Sequence, residues 1–458
     1  MSSSTDSFAL ENYNGPQKHR IIDLKSKFTT KFGKNPSFIV RAPGRVNLIG
    51  EHIDYCGYSV LPMAIEQDLV ICCSTDDTNQ LRLFNVNCKY PEFQCESSSV
   101  SIDKSKPNWY NYALSGYLGI IEHFKPFNPA GILMMIDGTV PPSAGLSSSS
   151  ALVCAAALAT LHANGLAMDK KDLAALCARS ERYVGTQGGG MDQAISFLAQ
   201  AGTAKLIEFN PLRTTDVQLP KDATFIIANS CSDMNKAATS HYNSRVVECR
   251  LATQIIAKKN GLDWRKYEKL SKVQVALEIP LEKMADVVSS TFHKEAYNKD
   301  EVCDILQVSS TELDELSCSA NPHLERFELY KRAMHVFTEA SRVQKFKEIC
   351  DENPDQSIEK LGKLMNNSHE SCRDLYECSH PNLDEFVEIA LKSGALGSRL
   401  TGAGWGGCTV SLVPTSKVDS FLEVVKVEFY FKDPERLENI ATKVFPTQPG
   451  SGAAIITL

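Results

Sequence analysis

The stretch PPSAGLSSSSALVCAAALATL, residues 141–161, decides the fold, because a run of serines leads directly into an alanine-rich segment. Its composition predicts a helix over Ala151 to Leu166, with serine as a good N-cap. The first turn of a helix leaves backbone N–H groups unpaired and carries partial positive charge. We therefore expect this loop to bind a chain of phosphates.

Within this loop, one glycine and three hydroxyls suit phosphate binding. Gly145 allows the backbone to approach a ligand closely, and the hydroxyls of Ser147, Ser148 and Ser149 can add hydrogen bonds or a Mg²⁺ ligand. A plain N-cap would need one serine and not the four that stand here. A serine hydrolase is excluded because the chain contains no G-x-S-x-G motif.

A second polar segment, RAPGRVNLIGEHIDY at residues 41–55, lies upstream. The pattern predicts a strand at Phe38 to Val40 that ends in a turn at Pro43 and Gly44. Beyond that turn, the side chains of three closely spaced polar residues could hydrogen-bond a hydroxyl-rich ligand: Glu51, His52 and Asp54. A polar site of this kind rejects ligands that lack the matching hydroxyl.

Two other interpretations of residues 51–54 stay open. A solvated turn is less consistent with the sequence, because Val46, Leu48 and Ile49 interrupt the polar residues and look buried. A metal site built on His52 and Asp54 is disfavoured, since no further His or Cys stands at ligand spacing.

The third glycine-rich segment, GAGWGG at residues 402–407, satisfies G-x-G-x-x-G literally. A dinucleotide site would require a helix immediately after the glycines. Instead, Cys408 to Val413 alternates like a strand. The segment is therefore predicted to be a backbone loop that packs against a ligand or against another loop.

The chain has 458 residues, which is too long for one ordinary core and predicts two lobes. Further strands are predicted at 68–74, 80–85, 131–137, 204–209, 224–229 and 453–458, the one at 224–229 closing the first lobe. Asp169 is expected to cap a helix that ends near Tyr183. Residues 260–395 are mainly helical by pattern. These elements predict an α+β fold with an N-terminal lobe at 1–225, and a C-terminal lobe at 226–458 that carries the helical insertion.

Composition excludes several classes of partner. The net charge of −7 and the pI near 5.9 argue against nucleic acid or an anionic membrane. The polar N-terminus lacks the apolar region of a signal peptide, and no apolar run is long enough to span a bilayer. Fifteen scattered cysteines without a CxxC pair predict reduced thiols in a cytoplasmic protein.

Together, the three segments resemble the GHMP kinases, and they follow that family's order along the chain. The stretch 44–55 is similar to the galactokinase signature of that family. The resemblance implies a two-lobed fold with the active site between the lobes, and ATP and Mg²⁺ as cofactors. Phosphate binding would fall to the serine loop, because the chain has no Walker A sequence and no HRD or DFG motif.

Residues 180–193 and 228–242 resemble N-acetylgalactosamine kinases within the galactokinases. This resemblance predicts phosphorylation of the anomeric C1 hydroxyl of N-acetylgalactosamine, with galactose a poorer substrate. The glycines at 188–190 and the small Ala237 and Ala238 are expected to leave room for the acetamide at C2. A plain galactokinase and a non-catalytic sensor of sugar and ATP are the alternatives.

The resemblance also assigns roles to single residues. Asp192 would take the proton of the sugar hydroxyl. Arg45 would keep Asp192 ionised and would also offer positive charge to the γ-phosphate. Sugar contacts are expected from Arg45, Glu51, His52, Asp54, Asp192 and Tyr242. Nucleotide contacts are expected from Gly145, Ser147, Ser148, Ser149, Asn235, Lys236 and Trp109. The Mg²⁺ ligands would be Ser149 and Glu181.

Four of these residues have an ordinary structural interpretation as well. Asp192 could be a helix N-cap, Tyr242 part of the core, Glu181 a solvated helix residue and Trp109 buried structure. The expected partners are a small sugar and ATP, with neither nucleic acid nor membrane. The sequence does not reveal the oligomeric state and is compatible with a monomer.

Overall fold

The fold was analysed in a computed structural model that describes residues 7–10, 15–125, 127–185, 188–232, 236–319, 321–352 and 357–458, without the side chains of 236–239. Its strands are β1 (Ser7–Ala9), β2 (Phe38–Ile49), β3 (Leu61–Asp76), β4 (Gln80–Asn85), β5 (Phe93–Glu96), β6 (Gly131–Gly138), β7 (Ala204–Glu208), β8 (Arg213–Val217), β9 (Ala223–Asn229), β10 (Tyr297–Asn298), β11 (Arg326–Phe327), β12 (Gly397–Leu400), β13 (Cys408–Pro414), β14 (Val444–Thr447) and β15 (Ala454–Thr457).

The helices divide into a short set in the first half of the chain and a longer set in the second. The first set is α1 (Gly15–Phe32), α2 (Tyr110–His123), α3 (Ser148–Ala163), α4 (Lys170–Ser180) and α5 (Met191–Leu198). The second set is α6 (Lys236–Lys259), α7 (Leu270–Ala276), α8 (Met284–Thr291), α9 (Lys299–Leu306), α10 (Ser310–Leu313), α11 (Leu329–Glu352), α12 (Ile358–Asp374), α13 (Pro381–Lys392), α14 (Val418–Val425), α15 (Pro434–Leu437) and α16 (Ile440–Lys443).

Two sheets organise these elements. The larger sheet has the strand order β1-β15-β2-β3-β6-β4-β5 and is mixed, because β1 with β15 and β4 with β6 are parallel pairs. The second sheet has the order β12-β13-β9-β14 and is antiparallel. The α+β fold with a mixed-sheet N-terminal lobe and a helix-rich C-terminal lobe is confirmed.

Two parts of the predicted chain path are wrong. The predicted turn at Pro43 and Gly44 is a bulge inside β2, which stays paired with β3 on both sides of the register shift. Pairing with a long neighbouring strand outweighs the local turn preference of Pro-Gly. The strand at Ala223–Asn229 was expected to close the first lobe, but it lies in the second sheet between β13 and β14.

Several local predictions are confirmed. The helix predicted over Ala151 to Leu166 is present as α3, although it begins three residues earlier, at Ser148, and ends at Ala163; its twelve residues from Ser150 to Leu161 are buried. The Asp169 side chain accepts a hydrogen bond from the N–H of Lys171 and so caps α4. The lobe boundary near residue 225 stays a prediction, although β15 returns the end of the chain to the first sheet.

No helix within the described residues is long and apolar enough to cross a membrane. All fifteen cysteines are free, and most of them are buried.

Candidate active site

Most of the predicted site residues line one cavity of about 640 Å³. Residues near both sheets line this cavity. The predicted site residues among them are Arg45, Glu51, His52, Asp54, Trp109, Gly145, Ser147, Ser148, Ser149, Glu181, Asp192 and Tyr242. Asn235 and the side chain of Lys236 lie outside the described residues. The structure therefore gathers residues that are far apart in the sequence around one cavity.

The serine loop meets the cavity at the N-terminus of α3. Ser147 occupies the N-cap position with φ +57°, but its side chain makes no capping hydrogen bond. Its hydroxyl donates instead to Oδ2 of Asp192. The predicted capping by serine is thus correct in position and wrong in contact, so the serine side chain is not the acceptor for the first-turn amides of α3.

Arg45 and Asp192 form an ion pair beside this loop, with 2.8 Å between Nε and Oδ1. Arg45 also donates from Nη1 to the carbonyl oxygen of Gly145, which fixes the guanidinium against the loop. Both side chains line the cavity, and the Asp192 side chain, at 27% exposed against 6% for Arg45, is the more accessible partner. Asp192 is the second residue of α5, and Gly190 is the N-cap, so the N-cap interpretation of Asp192 is wrong.

Glu181 is buried at the end of α4 and is not a solvated helix residue. It accepts hydrogen bonds from Ser150 Oγ, at 2.8 Å, and from Gln193 Nε2. Burial and the nearby charge of Asp192 raise the pKa of Glu181 to about 7. Ser150 and Gln193 were missed by the sequence reasoning, because nothing local connects a serine or a glutamine to a carboxylate elsewhere in the chain.

The turn at residues 50–52 is buried, which excludes the solvated-turn interpretation. Oε1 of Glu51 accepts from the N–H of Gly402 at 2.9 Å and from Arg399 Nη1 at 3.4 Å. Burial raises the pKa of Glu51, while Arg399 and Arg45 oppose that shift. Glu51 therefore connects the turn to the third glycine loop as well as facing the cavity.

His52 is held from both ring nitrogens. Nε2 lies 2.9 Å from the carbonyl oxygen of Ala403, and Nδ1 lies 2.9 Å from the hydroxyl of Tyr55. Burial lowers the pKa of His52 to about 3, so the ring is neutral at physiological pH. A neutral ring facing a carbonyl carries its proton on Nε2 and accepts from Tyr55 at Nδ1. The described residues contain no cluster of three or more His, Cys, Asp or Glu that could hold a metal ion.

Asp54 stands close to the glycine run that precedes α5. The N–H groups of Tyr55 and Met191 donate to it, and burial together with the charge of Asp192 raises its pKa. A Cβ on Gly189 would lie 2.5 Å from Cγ of Asp54, whereas a Cβ on Gly188 would meet no described atom within 4 Å. The space expected along residues 188–190 is therefore present at Gly188 and absent at Gly189.

Aromatic rings line part of the cavity. The Tyr242 ring centroid lies 5.5 Å from that of His52 and 5.4 Å from that of Tyr55. Trp109 also lines the cavity, and it donates from Nε1 to the carbonyl oxygen of Pro91 at 2.9 Å. Trp109 is thus partly structural, and it also presents a ring to the cavity.

The third glycine loop packs against the serine loop, which confirms the prediction made for it. A Cβ on Gly145 would lie 2.8 Å from the carbonyl oxygen of Thr401, and one on Gly407 would lie 3.0 Å from that of Ala144. Both glycines have positive φ, so a side chain at either position would also be strained. Contact between the two loops completes the cavity wall at Gly402 and Ala403.

Comparison with known families identifies three matching regions. The galactokinase galactose-binding signature matches residues 26–75, the GHMP kinase N-terminal domain matches 111–200, and the GHMP kinase C-terminal domain matches 345–446. These regions include the turn at 50–52, the serine loop, Asp192 and the third glycine loop.

Whole-length relatives and solved structures agree with this result. A galactokinase of Dictyostelium discoideum is 45% identical, over 96% of this chain and 94% of its own. A galactokinase of Saccharomyces cerevisiae is 33% identical, over 97% of this chain and 96% of its own. A crystal structure of Lactococcus lactis galactokinase complexed with galactose has a TM-score of 0.75 at 24% identity, covering 95% of this chain and 99% of its own. The chain therefore belongs to the galactokinase family of GHMP kinases, and it is a sugar 1-kinase of the galactokinase type.

Proposed function

We propose that the protein transfers the γ-phosphoryl group of ATP to the C1 hydroxyl of galactose. The observation that carries this proposal is the meeting of Arg45, Ser147 and Asp192 in one cavity at the N-terminus of α3. A helix N-terminus suits the phosphates, and a carboxylate beside it suits the acceptor hydroxyl. Relatives of 30–45% identity that carry the name galactokinase support galactose as the sugar.

In the proposed reaction, the C1 oxygen of the sugar forms a bond to the γ-phosphorus while the bond to the β-phosphate oxygen breaks and releases ADP. Asp192 accepts the proton of the attacking hydroxyl. Arg45, which is paired with Asp192, places positive charge near the transferring group, where negative charge has to be stabilised. Ser147, which donates to Asp192, fixes the orientation of the carboxylate.

We further infer that Mg²⁺ accompanies the nucleotide and is held by Ser149 and Glu181. Both offer oxygen, the donor that Mg²⁺ prefers, and the phosphates would complete its coordination. Burial disfavours a negative charge on Glu181, and a divalent cation would compensate that charge. The residues present therefore fit a hard cation, which supplies charge neutralisation at the phosphates when it is bound.

The remaining assignments are part of the same proposal. The sugar would be contacted by Glu51, His52, Asp54 and Tyr242. The nucleotide would be contacted by Gly145, Ser148, Trp109, Asn235 and Lys236. Glu51 and His52 already have partners inside the protein, so we expect them to shape the sugar pocket as much as to bind hydroxyls.

Free cysteines support a cytoplasmic location, and a monomeric state stays a prediction.

N-acetylgalactosamine is the second candidate substrate. It has the galactose configuration with an acetamide at C2, and the open space beside Gly188 in the cavity wall favours it. A Cβ at Gly189 would overlap Asp54, so the open space is present at Gly188 and not at Gly189. A non-catalytic sensor is the third candidate, but the intact Arg45–Asp192 pair favours an enzyme.

A coupled assay of ADP release with a panel of sugars tests all three candidates. We expect turnover with galactose, and kcat/KM for galactose above that for N-acetylgalactosamine. The reverse ratio would replace galactose by N-acetylgalactosamine as the substrate. No turnover with any sugar, combined with measurable sugar binding by calorimetry, would identify a sensor.

A further inference from the structure

The sugar-facing turn at residues 50–52 rests directly on helix α11. A Cβ on Gly50 would lie 2.9 Å from Cγ2 of Val343, and Gly50 has φ +106°. The next residue but one, His52, has φ +59°, a conformation that residues other than glycine adopt rarely. Such a turn persists only where surrounding contacts hold it in place, and α11 is the helix that packs behind it.

Glu339 on α11 accepts hydrogen bonds from this turn. Its Oε1 lies 2.9 Å from the backbone nitrogen of Gly50, 3.2 Å from that of Glu51 and 2.6 Å from Ser368 Oγ. The side chain is fully buried. Although burial opposes ionisation, the positive charge of Arg342 lowers the pKa of Glu339 to about 2, so the group is a carboxylate at neutral pH. Charged acceptors make the stronger hydrogen bonds to backbone N–H groups.

His335 lies one helical turn before Glu339 on α11. It contacts the backbone carbonyl group of Glu51, the residue whose N–H group is bound by Glu339. Its Nε2 is 3.1 Å from the carbonyl oxygen of Glu51, and its Nδ1 is 2.8 Å from Ser371 Oγ. Burial lowers the pKa of His335 to about 4, so the ring is neutral, and its proton lies on Nε2. Both backbone polar groups of Glu51 are thus bound by side chains of α11.

We propose that Glu339 and His335 are positioning residues of the sugar site, which fix the backbone of residues 50–52 so that the side chains of Glu51 and His52 face the cavity. Neither residue is part of the described cavity wall, so they act through the turn. The proposal rests on the proposed function in that the turn binds sugar. It also gives a role to the helical region of residues 260–395, for which the sequence indicated no chemistry.

Glu339→Gln is the first test, because it preserves volume while one amide oxygen cannot serve both the turn and Arg342. We expect the KM for sugar to rise at least tenfold, and the KM for ATP to stay within twofold. Hydrogen–deuterium exchange of the Gly50 and Glu51 amides should become at least tenfold faster, because a neutral amide oxygen, for which Arg342 also competes, is a weaker acceptor for these N–H groups than the carboxylate.

Glu248→Gln is the matched control. Glu248 is a buried carboxylate on the neighbouring helix α6, where it pairs with Arg332 and Arg245 and makes no hydrogen bond or ion pair with the turn among the described residues. We expect both KM values within twofold of the wild type and unchanged exchange at Gly50 and Glu51. If Glu248→Gln produced the same split between the two KM values as Glu339→Gln, the effect would be general loosening and the proposal would be wrong.

His335 provides a second test should Glu339→Gln not fold. His335→Ala should raise the KM for sugar, and His335→Gln, whose amide can donate to the Glu51 carbonyl, should restore most of the loss. Wild-type sugar KM and wild-type exchange at residues 50–51 in a folded Glu339→Gln or His335→Ala protein would overturn the proposal. A wild-type protein without sugar turnover would contradict the proposed function, and the exchange measurements would still decide the role of α11.

Discussion

Two arginine–carboxylate pairs of this molecule have the same geometry and opposite surroundings. Arg45 Nε lies 2.8 Å from Asp192, and Arg332 Nε lies 2.8 Å from Glu248. Asp192 is 27% exposed to the cavity, whereas both side chains of the second pair are 3% exposed or less. Glu248 also accepts from the N–H of Glu328, so its oxygens are fully engaged among helices.

The difference shows that the ion pair itself does not define a site. A sealed pair serves the fold, because removing one partner leaves an uncompensated buried charge. An open pair keeps one charged group available to a ligand at the edge of a cavity. We therefore expect substitutions in the open pair to affect turnover, and substitutions in the sealed pair to affect stability.

Asp192→Ala should produce the largest effect. The loss of the proton acceptor is expected to lower kcat by about 10²- to 10⁴-fold. Thermal unfolding should change little, since the carboxylate is partly exposed and Arg45 keeps its bond to Gly145. Steady-state kinetics and circular dichroism measure both quantities, and a kcat within tenfold of the wild type would remove Asp192 from the centre of the reaction.

Arg332→Ala should show the opposite pattern. After this change Glu248 would keep Arg245, 3.1 Å away, as a charged partner, so the free energy of unfolding is expected to fall by about 3 kcal/mol, the lower end for a broken buried pair. The kcat per folded molecule should stay within twofold, which urea denaturation and an active-site titration can establish together. An unchanged unfolding free energy with a large loss of kcat would reverse the proposed division between the pairs.

Arg45→Ala is expected to lower kcat by about 10²- to 10³-fold, because its charge stabilises the transferring phosphoryl group. The KM for sugar should rise by a smaller factor, since this interaction strengthens in the transition state. Arg45→Lys is the control, because it keeps the charge and loses the planar guanidinium that donates to both Asp192 and Gly145. An effect on KM alone would mean that Arg45 only binds the ground state.

The smallest expected effect is on the pH dependence of stability, and it comes from His335, the buried histidine behind the turn at residues 50–52. Burial lowers the pKa of His335 to about 4 in the folded state, whereas an unfolded histidine titrates near 6.5. Between these values the unfolded chain binds more protons, so stability falls as pH falls, by up to about 1.4 kcal/mol per pH unit from this group. Chemical denaturation from pH 7 to 4.5 should therefore show a shallower slope for His335→Gln than for the wild type, and equal slopes would contradict the assignment.

Sequence reasoning succeeded where the determinants are local. The serine loop, the cap at Asp169 and the bounds of β4 follow from turn chemistry and short periodicities, and the helix after the loop was placed to within three residues of its start. The same reasoning gave no helix at 110–123, because Gly116 and Gly119 are poor helix formers. In the structure Gly116 faces the backbone of α3, where a Cβ would overlap Val153. Close packing of two helices thus decides a position that local preference does not.

Contacts between distant parts of the chain were beyond the sequence for the same reason. The patterns pointed to Glu51 and His52 as polar residues of a site, but they did not connect the turn to Glu339, which is 289 positions from Gly50. Ser150 and Gln193 likewise become visible only when α3 and α5 bring them to Glu181. The helical region shows a polar, charge-rich pattern, so in the sequence Glu339 looks like any other carboxylate of that region.

The most direct test of the central claim locates the phosphate in the product. ³¹P and proton NMR of a reaction with ATP and galactose should show phosphate on the anomeric carbon, and the same reaction with Asp192→Ala should show none in the same time. Phosphate on any other carbon, or an unchanged rate in Asp192→Ala, would contradict an account in which the open Arg45–Asp192 pair delivers the C1 oxygen to ATP.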